Sequence, residues 1–292
     1  MDNALYPYRP ITERDPIRWP GGARVAFYVG LNVEHFHVDA PSTSLIDSTK
    51  SLTPDPMNFG WRDYGLRVGF WRILDALDRF GIRASVLLNS EVAQRYPQVI
   101  DAGRARSWAW LAHGRTNSSL HTALSADAER AELEDIITTI ERATGQCPRG
   151  WMGPALTETF RTPQLLAELG LQYVLDWTSD DQPFELAVPG MLRVPYTVEL
   201  NDVVLFVTKS FTGPQFRQMV IDQFDQLYAD SEHSGRVMAL ALHPFVIGQP
   251  SRYRYLREAL DYITQHEGVW LTTSDEIAAH YASHNVDAGA TE

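Results

Sequence analysis

The stretch ARVAFYVGLNV, residues 23–33, decides the fold. It is apolar almost without a break, where a half-exposed strand would alternate, and this predicts a strand covered on both faces. Such strands belong to parallel sheets clothed by helices. Downstream, Leu66, Phe70, Ile73, Leu74, Leu77 and Phe80 recur at helical spacing and stop at Gly81. RASVLLN is the next strand, followed by two short helical pieces around residues 92–100, and then WAWLAH as a strand. A helix opens at Ser125, an N-cap residue with Asp127 and Glu129 in its first turn, and closes at Gly145.

The alternation continues through RGWM, a helix over residues 163–169, LQYVLD, LRVPYTV, a helix over residues 214–228, and RVMALALH. A helix over residues 255–266, the strand GVWLTT and a helix from Ser274 complete it. About seven strand-and-helix units predict an α/β chain whose sheet closes, or nearly closes, into a barrel. No G-x-G-x-x-G turn follows the first strand, which argues against a dinucleotide fold.

No internal repeat or low-complexity linker divides residues 1–292, so a single domain is expected. Three segments stand apart: an N-terminal arm (1–22), a long loop suited to a lid (39–64) and a flexible tail (284–292). With 25 Lys+Arg against 37 Asp+Glu, the net charge is -12, and the acidic residues are spread along the chain. A nucleic-acid or anionic-membrane surface needs a basic face, so neither partner is expected. Cys147 is the only cysteine, which excludes a disulfide framework or thiolate cluster. The first residues lack an apolar signal core, and no run approaches the roughly 18 apolar residues of a membrane span. A cytoplasmic protein is expected.

If strands and helices form a barrel, functional groups belong where the strands run out. Those ends carry Asn32 and Glu34 with His35 and His37, then Asn89, His113, Trp151, Asp176, Tyr196 and His243. Repeated apolar strands closing on polar groups suggest the rim of one pocket. Desolvation of Glu34 is expected to raise its pKa towards that of a usable base. His113 alone would be a satisfied core histidine; its company at the rim favours function. His243 follows a buried strand and precedes Pro244, so its ring is expected at the same mouth. His35 and His37 fall on the face opposite Glu34 and are assigned structural roles. Asp180 and Asp181, in DWTSDDQPF, can cap, pair or bind substrate.

This ordered set resembles the polysaccharide deacetylase (carbohydrate esterase) superfamily. It runs from WPGGARVAFYVGLNVEHF through GFWRILDALDRFGIRASVLLN, AHGRTN, GWMGPA and LDWTSDDQPF to LALHPFVIGQPSRYRYLREAL. The resemblance implies a distorted seven-stranded (β/α) barrel. In the metal-dependent members an aspartate pair ends the first strand, and an H-G-x-x-H-type motif supplies two ligands. Here Glu34 takes the acidic position, His113 matches the first histidine, and Asn117 stands where the second would be. An amide is a poor zinc donor, so no metal is expected; Glu34, His113 and Asn117 are the set that would hold zinc if one binds. RWPGGARVA, GFWR, VPYTVELND and the FDQLYA helix resemble the branch of allantoinases and cyclic imide hydrolases.

The activity implied is ring-opening hydrolysis of a C–N bond in a small cyclic amide, a ureide such as allantoin or a cyclic imide, by activated water. Glu34, His113, Asn117 and His243 are the catalytic candidates; Trp151, Tyr196, Asp180 and Arg115 are the substrate-binding candidates. Glu34 would take a proton from water, His113 and Asn117 would hold the water or the carbonyl oxygen, and His243 would protonate the leaving nitrogen. The aromatic N-terminal arm and the resemblance lead us to expect a homo-oligomer, a dimer or tetramer. A metal-dependent deacetylase of N-acetyl sugars and a non-catalytic ligand binder on the same fold are the alternatives.

Overall fold

A computed structural model describes residues 3–39, 48–49, 51–120, 122 and 124–288. The predicted first strand forms as β1 (Val25–Val33), and every residue in it is buried. It pairs in parallel with β2 (Ala84–Leu88) and with β8 (Arg236–Leu242), at Leu31 opposite Val86 and Leu242. The sheet continues through β3 (Ala109–Ala112), β4 (Gly150–Trp151), β5 (Tyr173–Val174) and β7 (Leu192–Arg193), all parallel. Beyond these lies β6 (Phe184–Glu185), antiparallel to β7, and β9 (Val269–Leu271) also pairs with β1.

The strand order 6-7-5-4-3-2-1-8 gives a curled sheet rather than a flat one. Between its ends, Ala241 N–H donates to Leu200 O and Val237 N–H donates to Asp181 O, so irregular chain fills the seam. The fold is the expected distorted α/β barrel.

Strand alternation sorts the core into two layers. On β1, Val25, Phe27, Val29, Leu31 and Val33 face the helices, while Ala26 and Tyr28 join Leu87, Leu111, Leu175, Val194, Tyr196 and Ala239 inside the barrel. Around the outside run α1 (Pro56–Tyr64), α2 (Phe70–Arg79), α3 (Ser90–Arg95), α4 (Pro97–Arg104), α5 (Ala126–Thr144), α6 (Thr162–Glu168), α7 (Gly213–Asp230), α8 (Pro250–Thr264) and α9 (Ser274–Ala288). The expected boundaries of α5 hold: Ser125 Oγ accepts from Ala128 N–H, and Gly145 closes the helix at φ 75°.

Three expectations need correction. Residues 56–64 of the anticipated loop are helix α1, N-capped by Asp55, whose carboxylate accepts from Asn58 N–H. Positions 40–47 and 50 lie outside the described residues. The arm spends its aromatics within its own chain: Tyr6 meets Trp177 and Phe184 at centroid distances of 5.8 and 4.9 Å, and Trp19 is buried. The expected tail begins inside α9, whose assigned helix reaches Ala288. Among the described residues no helix is long and apolar enough to cross a membrane.

A π-turn, Gly65–Gly69, joins α1 to α2 and lies directly on the loop after β8. A β-carbon on Gly69 would stand 2.0 Å from Pro244 O, a backbone atom that cannot swing aside. This close approach, with Trp61 edge-on to Phe245 at 5.5 Å, fixes the loop that carries His243. Gly69→Val is therefore expected to lower stability by about 1–3 kcal/mol, the usual range for overpacking. Thermal denaturation checks this, and an unchanged midpoint would contradict the contact.

Candidate active site at the barrel mouth

Inward positions recur every second residue, and three strands place a functional group at the next inward position beyond their ends. On β1 the series Ala26, Tyr28 leads to Asn32 and then Glu34; on β3, Ala109 and Leu111 lead to His113; on β8, Val237, Ala239 and Ala241 lead to His243. The register pairing Leu31 with Leu242 brings the ends of β1 and β8 level.

The groups converge on a single atom. Glu34 Oε1 accepts from Asn117 Nδ2 at 2.6 Å and lies 3.4 Å from His113 Nε2 and 3.7 Å from His243 Nε2. All four sequence-derived catalytic candidates thus share one cluster, and Glu34, His113 and His243 are almost entirely buried. His113 Nδ1 lies 2.6 Å from Met152 O, which can only accept, so Nδ1 carries the proton and Nε2 faces Glu34.

Asp202, which the sequence reading did not single out, completes the arrangement. Its Oδ1 lies 2.6 Å from His243 Nδ1, while Oδ2 accepts from the backbone N–H groups of His243 and Ile247. It sits in the segment VPYTVELND, where only a view of the folded chain brings it beneath the histidine. Burial lowers the pKa of His243, but Asp202 and Glu34 outweigh it and the net direction is upward. For Glu34 burial pushes upward, while His243, His113 and Arg62 prevail and the net direction is downward. The expected rise at Glu34 is corrected: its cationic neighbours decide the balance, not desolvation.

Asn117 is fixed in orientation by donors that cannot reverse. The N–H of His35 donates to Asn89 Oδ1 at 2.8 Å, so Asn89 Nδ2 faces the other way, towards His113 O and Asn117 Oδ1. Asn117 must then turn its own Nδ2 to Glu34. At the position where a second histidine would offer a lone pair, this chain presents N–H. The set Glu34, His113 and Asn117 therefore does not fit the zinc centre of the metal-dependent deacetylases.

The four substrate-binding candidates fare differently. Tyr196 lies directly beneath the cluster; Asn32 Nδ2 donates to its hydroxyl at 3.0 Å and also to Leu242 O. Trp151 does not line the mouth: it is an outward residue opposite Ala112 and is wholly buried in the helix-side core. Arg115 turns to α5, where it pairs with Asp135 at 2.9 Å and approaches Glu132. Asp180 pairs with Arg14 of the arm at 2.5 Å and lines a cavity of about 470 Å³ with Tyr196, Thr197, Glu199, Val237 and Ala239, so Tyr196 stands between this cavity and the cluster. The register puts Val237 and Ala239 beside Ala26 and Tyr28, well below the rim. Asp176, by contrast, accepts from Gly153 N–H at 2.8 Å, next to the Met152 carbonyl that holds His113. Burial and the neighbouring Glu158 push its pKa well up.

The Asp202–His243–Glu34 chain makes stability depend on pH from both sides. His243 has a folded pKa above its unfolded 6.5, so its contribution is complete below about pH 6.5 and is lost as pH rises through the folded value. Glu34 has a folded pKa below 4.5, so its contribution is present above pH 4.5 and is lost as pH falls through the folded value. The gap in thermal midpoint between the native chain and Asp202→Asn should accordingly be widest below about pH 6.5 and narrow as pH rises through the folded pKa of His243. A gap that stays constant over that range would contradict the charge pair.

The family model "Polysaccharide deacetylase" matches residues 60–174, a span that holds His113 and Asn117. The Puue allantoinase structure superposes with a TM-score of 0.84 and 29% identity, over 95% of this chain and 98% of that one. A Pseudomonas aeruginosa structure, named a probable polysaccharide deacetylase, gives a TM-score of 0.83 and 27% identity over 94% and 98% of the two chains. A Schizosaccharomyces pombe protein named for the same activity is 28% identical over 240 residues, 76% of this chain and 75% of its own length. With its barrel, its strand-end residues and these likenesses, the chain is similar to the polysaccharide deacetylases, and over residues 60–174 it matches their family model.

Proposed function

We propose that this protein is a hydrolase that opens small cyclic amides at a C–N bond, with a ureide such as allantoin or a cyclic imide as substrate. The observation that carries the reading is the 2.6 Å hydrogen bond from Asn117 to Glu34, which puts an amide donor in the ligand position. The likeness to an allantoinase over nearly the full length of both chains supports it.

In this reading Glu34 is ionised at neutral pH and takes the proton of a water held at the mouth. Its lowered pKa makes it a weak base on its own, so the neighbouring cation has to share the work. His243, protonated and held by Asp202, donates from Nε2 to the leaving nitrogen as the C–N bond breaks. The carbonyl oxygen, as it becomes an oxyanion, needs fixed donors. The N–H groups of the cluster are the candidates. Helix α1 supplies part of the lid the sequence reading sought: its Arg62 lies over the Phe36 ring at 4.0 Å and helps hold Glu34 ionised. A homo-oligomer stays within the proposal, although Tyr6 and Trp19 are already used within the chain.

Chelator-stripped protein, assayed for residual metal, should hydrolyse at least one of allantoin, hydantoin and succinimide and leave an N-acetylglucosamine oligomer intact. Glu34→Gln should lower kcat about 10²-fold or more, in the range of a lost general base, with the far-UV spectrum unchanged. Turnover retained in Glu34→Gln would sink the role of Glu34. Activity confined to the acetylated sugar would favour the deacetylase reading, and ligand recovered unaltered after long incubation would favour a binder.

A further inference from the structure

The strand that delivers Glu34 inward sends the two histidines beside it the other way. His35 and His37 leave the end of β1 towards α3, where Glu91 stands between them. His37 Nε2 lies 3.0 and 2.9 Å from the two carboxylate oxygens of Glu91, and His35 Nε2 lies 3.6 Å from Oε2. One ligand atom from each of the three residues falls within 4.8 Å of the others. We propose that His35, His37 and Glu91 form a binding site for a divalent transition metal, with zinc as the reference ion, separate from the catalytic cluster.

The spacing suits an ion of that class. Ligands at ~2.1 Å from a tetrahedral zinc stand ~3.4 Å from one another, and the carboxylate-to-imidazole distances bracket that value. Two imidazoles and one carboxylate form a donor set common in zinc and non-haem iron sites, with a coordination position left open. His35 is oriented from behind: the Tyr96 hydroxyl lies 3.3 Å from Nδ1, so Nδ1–H can donate to it and leave the Nε2 lone pair for an ion.

The opposing charge is also evident. Arg95 Nε lies 3.0 Å from Glu91 Oε2, but its side chain is 55% exposed and can turn to solvent when an ion arrives. His37, at 32% exposure, gives the ion access, whereas His35 and Glu91 are each at 12%.

The site would couple to the mouth through one backbone carbonyl. His35 O accepts from Asn117 N–H at 3.0 Å and from Thr116 Oγ1 at 2.7 Å, and His37 N–H donates to Ser118 Oγ. An ion at Glu91 would tie β1, α3 and the 113–118 segment together. Its primary effect is therefore to hold the Glu34–Asn117 geometry in place, not to activate water.

The test is zinc binding to chelator-stripped full-length protein, by equilibrium dialysis with metal analysis, alongside thermal denaturation. The native chain and His113→Ala should each bind one equivalent and gain several degrees in midpoint. His37→Ala and Glu91→Gln should each weaken binding at least tenfold and lose the gain, with circular dichroism to show that both are folded. Absence of binding to the native chain would overturn the site. Binding lost in His113→Ala but kept in His37→Ala and Glu91→Gln would overturn it too, by placing the ion at the catalytic cluster. Neither result bears on metal-free ring opening, which the substrate panel tests separately.

Discussion

Glu34 is a buried carboxylate, and a buried charge left alone costs several kcal/mol. Its surroundings answer that constraint within a few ångströms. Asn117 donates to it, His113 and His243 flank it, and Arg62 of α1 adds positive charge. Removing one member leaves the others exposed to the same penalty from the opposite side, because a protonated His243 next to Asp202 is equally dependent on its neighbours. The outer architecture serves this cluster. The approach of Gly69 to Pro244, the Phe36–Arg62 contact and the aromatic seam at Phe245 all fix elements that carry one of its members.

A metal centre would meet the same constraint differently, by placing a divalent cation among its ligands. In this chain the positive charge comes from side chains. The exchange of a histidine for Asn117 is not an isolated loss, since Asn89 and the backbone of His35 hold the amide with its N–H turned to the carboxylate. Placing a histidine back at position 117 would remove that donor, and the cluster would still contain a protonated His243. The second histidine pair, His35 and His37, lies on the opposite phase of the same strand, around Glu91.

Much of this was legible in the sequence because strand alternation is strict. An unbroken apolar run ending in a polar residue places that residue at a barrel mouth, and Glu34, His113 and His243 were found this way. The same rule, applied one residue out of phase, misplaced Trp151, since β4 is only two residues long and offers no run from which to fix the phase. Asp202 escaped because it comes from irregular chain that bridges to β8, where no period exists. Helix α1 was hidden by the prolines and polar residues around it, and its start depends on a single Asp55 cap. The direction of the Glu34 pKa shift could not be inferred from burial alone, because it depends on His243, His113 and Arg62, drawn from distant parts of the chain.

The charge state of His243 tests this account most directly. Titration of its imidazole by heteronuclear NMR in the native chain, assigned with a His243→Gln variant, should give an apparent pKa above 6.5. A titration at or below 6.5 would contradict the ion pair with Glu34 and remove the acid from the proposed mechanism.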